Sequence, residues 1–205
     1  MNTYLKRQKK VSSLLAREDI SLLVLCDREG MRNCSIRYLT GHPSDSVLFI
    51  FADGRTLLLP WDINLAQIKA TATQIKPYND YGRTLGQAVA KVLEEEKLPS
   101  GSRVEVPAEL PYPEFMKISA DSRYQFVCRE GGLTAAVEDM RQIKDDDELA
   151  TLRKAFAITD SILDKIEAAV RKGQCTETDI ALLIDREARL AGAATYMHSQ
   201  PILVP

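Results

Sequence analysis

Short apolar runs alternate with helical stripes over the first 140 residues. The run at 20–26 is typical of a strand covered on both faces, and two more runs flank Asp53-Gly54, a strong hairpin signal because glycine permits the positive φ of a tight turn. The pattern predicts strands at 20–26, 47–51, 56–59, 73–78, 103–106 and 124–128, and helices at 3–17, 62–70, 83–97 and 111–120. Interleaved strands and helices with one hairpin predict an α/β fold, a mixed sheet with helices on both faces.

The pattern changes near residue 140. Residues 145–172 form one long helical stripe, with acidic residues in the first turn and Arg171-Lys172-Gly173 at its end, as the helix dipole favours. Thr176 and Asp179 then resemble a capping box, and they begin a second helix that runs to about residue 191. We therefore predict a helical hairpin.

The contrast between the two segments predicts a domain at 1–139 and a separate segment at 140–205. That second segment has two amphipathic helices and the apolar run Ile202-Leu203-Val204, but no sheet to pack them on. About 65 residues are marginal without a complete core. Three arrangements stay open: docking of the helices on the first domain, a dimer interface, or a fragment of a longer protein.

Charge and composition limit the partners. The 27 basic and 29 acidic residues give a net charge of -2, so no electrostatic case exists for nucleic acid. No apolar stretch approaches the roughly 20 residues of a membrane helix, and the N-terminus does not resemble a signal peptide. The four cysteines form no C-x-x-C pair, and Cys26 and Cys128 lie in apolar runs that predict burial. We expect a cytoplasmic protein without nucleic-acid or membrane partners.

Candidate chemistry is sparse. The two histidines, His42 and His198, lie far apart, and no zinc spacing, phosphate loop or nucleophile motif is present. The run at 145–147 is interpreted as an acidic helical turn rather than a cation site, since successive helical side chains diverge. His42 lies in a loop between Gly41 and Pro43, where it either contacts a ligand or is an exposed histidine without a function.

Three stretches together resemble one family. Arg37-Tyr38-Leu39-Thr40-Gly41 before an apolar hairpin resembles the "YLTGF" segment of creatinase, prolidase and Xaa-Pro aminopeptidase. Residues 140–155 resemble the entry into that family's C-terminal domain, and 173–181 with Ala191-Gly192-Ala193 resemble its next helix. The order and spacing of the three over about 160 residues make chance similarity improbable.

The resemblance implies a non-catalytic N-terminal domain with a ribonuclease-H-like arrangement. In that family this domain supports dimers or tetramers and contributes a loop to the active site of a neighbouring subunit. By position, Gly41–Ser46 is similar to that loop, which makes His42 and Asp45 substrate-loop candidates. It also implies a C-terminal pita-bread domain with two metal ions, usually manganese, cobalt or zinc, that activate water to attack the bond before proline. Creatinase keeps this fold without metal.

The sequence departs from the family because every metal ligand would lie beyond Pro205, and His198 matches no family context. We therefore expect no metal site and no catalytic residue in this chain. It is expected to be the oligomerising N-terminal portion of an Xaa-Pro dipeptidase or aminopeptidase, to form a homodimer and to be inactive alone. Two alternatives stay open. One is a stand-alone inactive binding or oligomerisation protein, and the other is a parent with creatinase-like amidinohydrolase activity.

Overall fold

The computed structural model describes residues 2–28, 33–173 and 175–193. The chain divides into two compact units, Met1–Ile143 and Lys144–Pro205. The strands of the first unit are β1 (Leu22–Asp27), β2 (Ser46–Phe51), β3 (Thr56–Pro60), β4 (Gln74–Ile75), β5 (Arg103–Glu105) and β6 (Gln125–Val127). Its helices are α1 (Thr3–Arg17), α2 (Cys34–Thr40), α3 (Ile63–Lys69), α4 (Leu85–Glu96), α5 (Tyr112–Ile118) and α6 (Leu133–Gln142), with a 3₁₀ turn at Tyr78–Tyr81.

The strands form one mixed sheet in the order β4-β3-β2-β1-β5-β6. β2 is antiparallel to both β1 and β3, whereas the β3–β4, β1–β5 and β5–β6 pairs are parallel. Every strand except β2 therefore runs in the same direction, and the carboxyl ends of five strands meet at one edge. The predicted mixed sheet is confirmed, including the hairpin that joins β2 to β3.

Successive residues of the central strands enter two different cores. In β1, Leu22 and Val24 pack on one face while Leu23 and Leu25 pack on the other, and all four are fully buried. The first face carries α4 and α5, and the second carries α1, α2, α3 and α6. Because strand side chains alternate with a period of two, an uninterrupted apolar run is what a sheet covered on both sides requires. The predicted helices on both faces are confirmed.

The sequence pattern missed two helices, and it assigned one cysteine the wrong burial. The segments that form α2 and α6 were not predicted to be helical, although Asn33 caps α2 by accepting a hydrogen bond from the Ser35 amide. The expected burial of Cys128 is wrong, because this residue follows the edge strand β6 and is exposed. Cys26, within the central strand β1, is half-buried.

A buried carboxylate joins the end of β5 to the start of α6. Glu105 is 1% exposed, and it accepts hydrogen bonds from the Leu133 amide and from Arg129 Nη2 at 2.8 Å. Arg129 also pairs with Glu18, which follows α1. The carboxylate therefore satisfies an amide in the first turn of α6, where the helix dipole favours negative charge.

The second unit contains α7 (Asp146–Lys172) and α8 (Glu177–Leu190), which pack against each other and are linked by the Lys165–Glu187 ion pair; Ile162 and Ala188 are buried. The predicted capping box at Thr176 and Asp179 is confirmed, with both reciprocal hydrogen bonds present. Several apolar side chains of the hairpin are exposed: Leu152, Phe156, Leu163 and Val170 on α7, and Leu182 and Leu190 on α8.

Two sequence features of this unit, His198 and the apolar run Ile202-Leu203-Val204, lie outside the described residues. Within the described part of the chain, no helix combines the length and the apolar character that crossing a bilayer requires.

Replacing Glu105 with Ala is expected to lower the free energy of unfolding by roughly 2–4 kcal/mol, because it leaves Arg129 and the Leu133 amide without their shared acceptor. Urea denaturation measures the change. Glu130→Ala is the matched control, since Glu130 is exposed, and we expect a change within about 0.5 kcal/mol. Equal effects of the two substitutions would show that the Glu105 contacts contribute nothing.

Candidate functional site

A cleft of about 430 Å³ opens at the edge of the sheet where β1 ends and β2 begins. Residues that follow or end buried strands supply much of its wall, and the segment before α4 and the first turn of α5 supply the rest. The charged and aromatic side chains of its lining are Asp27, Arg28, Asp45, Trp61, Tyr78, Arg83 and Glu114. All of these belong to the first unit.

Asn33 fixes the end of β1 at this cleft. The Asn33 amide donates to Asp27 Oδ1 at 2.7 Å, and Asn33 Nδ2 donates to the Cys26 carbonyl at 3.2 Å. The same side chain caps α2. Asp27 is therefore held in place through one of its oxygens, while it lines the cleft.

The predicted substrate loop, Gly41–Ser46, is anchored at both ends. Gly41 adopts φ 81°, and a Cβ at this position would lie 2.9 Å from both the Lys69 carbonyl oxygen and Tyr4 Cζ. At the other end, the Trp61 amide donates to the Asp45 carbonyl at 3.1 Å. The loop is consequently a fixed part of the sheet edge.

His42 lies beneath this loop rather than on its surface. Its side chain is 1% exposed, so the interpretation of an exposed loop histidine is wrong. The chain reverses at Gly41, and the His42 amide donates to Thr40 Oγ1 at 3.1 Å, which directs the residue inward. Among the described residues neither imidazole nitrogen has a hydrogen-bond partner.

Burial lowers the pKa of His42, since a charged imidazolium is poorly solvated there. The backbone of Asp45 and the charges of Asp62, Asp27 and Asp45 act in the opposite direction and are outweighed. The imidazole is therefore neutral at physiological pH. Asp45, the second sequence candidate, lines the cleft, and among the described residues its carboxylate accepts no hydrogen bond.

The remaining walls combine an ion pair with two aromatic rings. Arg28, which follows β1, donates to Glu114 of α5 at 2.7 Å, and both residues line the cleft. The rings of Trp61 and Tyr78 lie 5.6 Å apart, centroid to centroid. Burial raises the pKa of the Cys26 thiol, which stays protonated and is a poor nucleophile.

The described residues do not fit a dinuclear metal centre. In the ranges 2–28, 33–173 and 175–193, no three histidine, cysteine, aspartate or glutamate side chains cluster in a way that could hold one ion. The carboxylates of Asp145 and Glu148 instead form a capping box: Asp145 Oδ1 accepts from the Glu148 amide and Glu148 Oε2 accepts from the Asp145 amide. That observation agrees with the interpretation of this run as a helical first turn.

Several cleft residues were missed in the sequence. Asp27, Trp61, Tyr78, Arg83 and Glu114 belong to no recognisable motif. A usable signal exists for two of them, since Asp27 ends one apolar run and Trp61 follows another. Polar or aromatic residues that end buried strands lie at a sheet edge, where ligands of α/β proteins bind.

These features define an α/β domain with a mixed sheet and a fixed edge loop, which is followed in sequence by a helical hairpin. The chain belongs to the creatinase/prolidase N-terminal domain family, whose model matches residues 7–143. No curated protein matches the chain by sequence.

Solved structures share this fold at low sequence identity. An X-Pro aminopeptidase from Thermotoga maritima MSB8 is 19% identical, with a TM-score of 0.71 over 90% of this chain and 49% of its own. The prolidase from Pyrococcus horikoshii OT3 is 15% identical, with a TM-score of 0.66 over 91% and 49%. The chain thus spans about half the length of both. The N-terminal domain of the cytoplasmic peptidase PepQ from Mycobacterium tuberculosis H37Rv is 17% identical, with a TM-score of 0.50 over 64% and 98%.

Replacing Gly41 with Ala is expected to destabilise the protein more than replacing Gly54 with Ala. Both glycines have positive φ, which costs an alanine about 1–2 kcal/mol, but nothing lies within 4 Å of a Cβ at Gly54. At Gly41 the Lys69 carbonyl and Tyr4 must also move, which adds about 1–3 kcal/mol. Urea denaturation of both variants measures the difference, and equal losses would contradict the close packing of this loop.

His42 is expected to make stability fall as the pH is lowered below neutral. Because its pKa is lowered in the folded chain, the unfolded chain binds the proton first, so acid favours unfolding until the folded-state pKa is passed. The slope is at most about 1.4 kcal/mol per pH unit. Urea denaturation of the wild type and His42→Leu between pH 7.5 and 5 tests this, and parallel pH curves would contradict it.

Proposed function

We propose that this chain is the N-terminal, non-catalytic portion of a metallopeptidase of the Xaa-Pro dipeptidase or aminopeptidase type, and that it contributes oligomerisation and a substrate loop. The observation that carries the proposal is the family match over residues 7–143, two thirds of the chain. The likeness in fold to an X-Pro aminopeptidase and a prolidase supports the same assignment. The parent protein hydrolyses Xaa-Pro bonds with two divalent metal ions, manganese, cobalt or zinc, held outside the described residues.

In this proposal the loop Gly41–Ser46 presents Asp45 to the active site of a neighbouring subunit. The support is physical: the loop is anchored at Gly41 and at the Asp45 carbonyl, and the Asp45 carboxylate has no internal partner among the described residues. A fixed carboxylate at an exposed edge can meet the ammonium group of a peptide substrate. His42, which is buried, supports the loop by packing beneath it rather than by touching substrate.

The second unit is proposed to be the start of a pita-bread catalytic domain. Its longer helix, α7, exposes apolar side chains along one stripe, for example Phe156 at 66% and Leu163 at 55%. Soluble helices usually bury such a stripe against another layer of the same domain. A larger domain that covers this stripe accounts for its composition.

We further propose that the protein is a cytoplasmic homodimer. Cys26, Cys128 and Cys175 are free thiols, as expected in a reducing compartment, and one structural neighbour is described as a cytoplasmic peptidase. Apolar side chains of the first unit are exposed at Ile68 (77%), Tyr112 (71%) and Met116 (50%), and burial in a symmetric interface is a common fate of such groups.

The peptidase assay tests the catalytic part of the proposal. The purified 205-residue chain, incubated with Ala-Pro or Gly-Pro and added manganese, is expected to release no proline above a protein-free control, because the described residues hold no metal centre. Light scattering on the same sample is expected to give the mass of two chains. Metal-dependent turnover would overturn the non-catalytic assignment, whereas a monomer at about 100 μM would overturn only the dimer.

A further inference from the structure

The cleft lies at the carboxyl edge of the parallel strands, beside the position at which an open α/β sheet is best suited to bind a small molecule. From β1 the chain goes to β2 on one side, and it later crosses to β5 on the other side of β1, so the direction of chain winding reverses between β1 and β5. Ligands bind outside the carboxyl ends of strands at such a switch point. The end of β1, at Asp27, lines the cleft, and the volume of about 430 Å³ lies in the usual range for ligand sites.

One wall of the cleft is suited to a flat apolar group. Trp61 is 60% exposed, although its ring lies against Tyr78 at 5.6 Å. A large aromatic side chain left open beside a concavity gains free energy when a second apolar group covers it, and offset or edge-on ring packing adds to this. The two rings therefore select an aromatic or branched apolar side chain.

The charges of the cleft have both signs, and they are not all paired. Arg28 and Glu114 neutralise each other. Among the described residues, the Asp45 carboxylate and the Arg83 guanidinium have no partner, and Asp27 uses one oxygen for the Asn33 amide. A ligand with an ammonium group and a carboxylate can pair with Asp45 and Arg83 at the same time.

We propose that this cleft binds a free α-amino acid with an aromatic side chain: its ammonium group pairs with Asp45 and Asp27, its carboxylate pairs with Arg83, and its side chain packs on Trp61 and Tyr78. The inference goes beyond the proposed peptidase parentage and does not depend on it. It predicts a ligand for the first unit itself.

Trp61 is the single tryptophan of the chain, so its fluorescence reports on the cleft directly. Titration of the 205-residue protein with L-phenylalanine, excited at a wavelength that phenylalanine does not absorb, is expected to give a saturable change with a Kd of a few millimolar, typical of a ligand of this size. Phenethylamine lacks the carboxylate and phenylpropionate lacks the ammonium group, so each is expected to bind at least about ten-fold more weakly. No saturable change with L-phenylalanine, or equal binding of the three probes, overturns the proposal.

Two variants separate the roles of the charges from damage to the fold. Arg83→Gln is expected to weaken L-phenylalanine about ten-fold and leave phenethylamine unchanged, whereas Asp45→Asn weakens L-phenylalanine and leaves phenylpropionate unchanged. Arg17→Gln and Glu138→Gln alter exposed residues that do not line the cleft, and they are expected to bind like the wild type. A uniform loss for all three probes in both cleft variants, or the same loss in the control variants, refutes the assignment.

Discussion

The structure of the first unit depends on the burial of its central strands on both faces. Leu22, Leu23, Val24 and Leu25 are all fully buried, yet alternate members belong to separate cores. A shift of one residue in the pairing of β1 would exchange the side chains of the two faces, each of which is shaped to a different set of helices. The pairing of β1 with β2 and β5 thus determines where every helix packs and where the polar strand ends emerge.

The acidic residues at the ends of β1 and β5 have different roles, although they occupy equivalent positions in the sheet. Glu105 and Asp27 both end parallel neighbouring strands. Glu105 is enclosed by Arg129 and the first turn of α6, so its charge is used to hold the fold together. Asp27 accepts one hydrogen bond from Asn33 and still lines a cleft, which leaves part of its charge available. The difference lies in what packs against each strand end: the first turn of α6 and Arg129 enclose Glu105, whereas Asp27 borders the cleft.

The sequence was informative where the physics is local. Uninterrupted apolar runs predicted β1, β2 and β3, and Thr176 with Asp179 predicted the start of α8. The order of the strands was not predictable, because β1 pairs with β5 across some 80 residues of chain, as between Leu22 and Val104. α2 was not predicted, although Asn33, which caps it, is a helix-start signal. Prediction of the site was limited for the same reason as the strand order. The burial of His42 follows from the chain reversal at Gly41, which Tyr4 and Lys69 enclose. Trp61 and Tyr78 are brought together only in the folded sheet.

The anchoring of the edge loop has a consequence for how the family can diverge. Gly41 is enclosed by backbone and ring atoms, and the Asp45 carbonyl is bound to the Trp61 amide, but Pro43 between them is exposed and Ser44 is half-buried. Changes in length or composition at these two positions can therefore re-aim Asp45 while the sheet stays untouched. Substitutions at Pro43 and Ser44 can therefore change which ligand the sheet edge recognises without requiring compensating changes in the core.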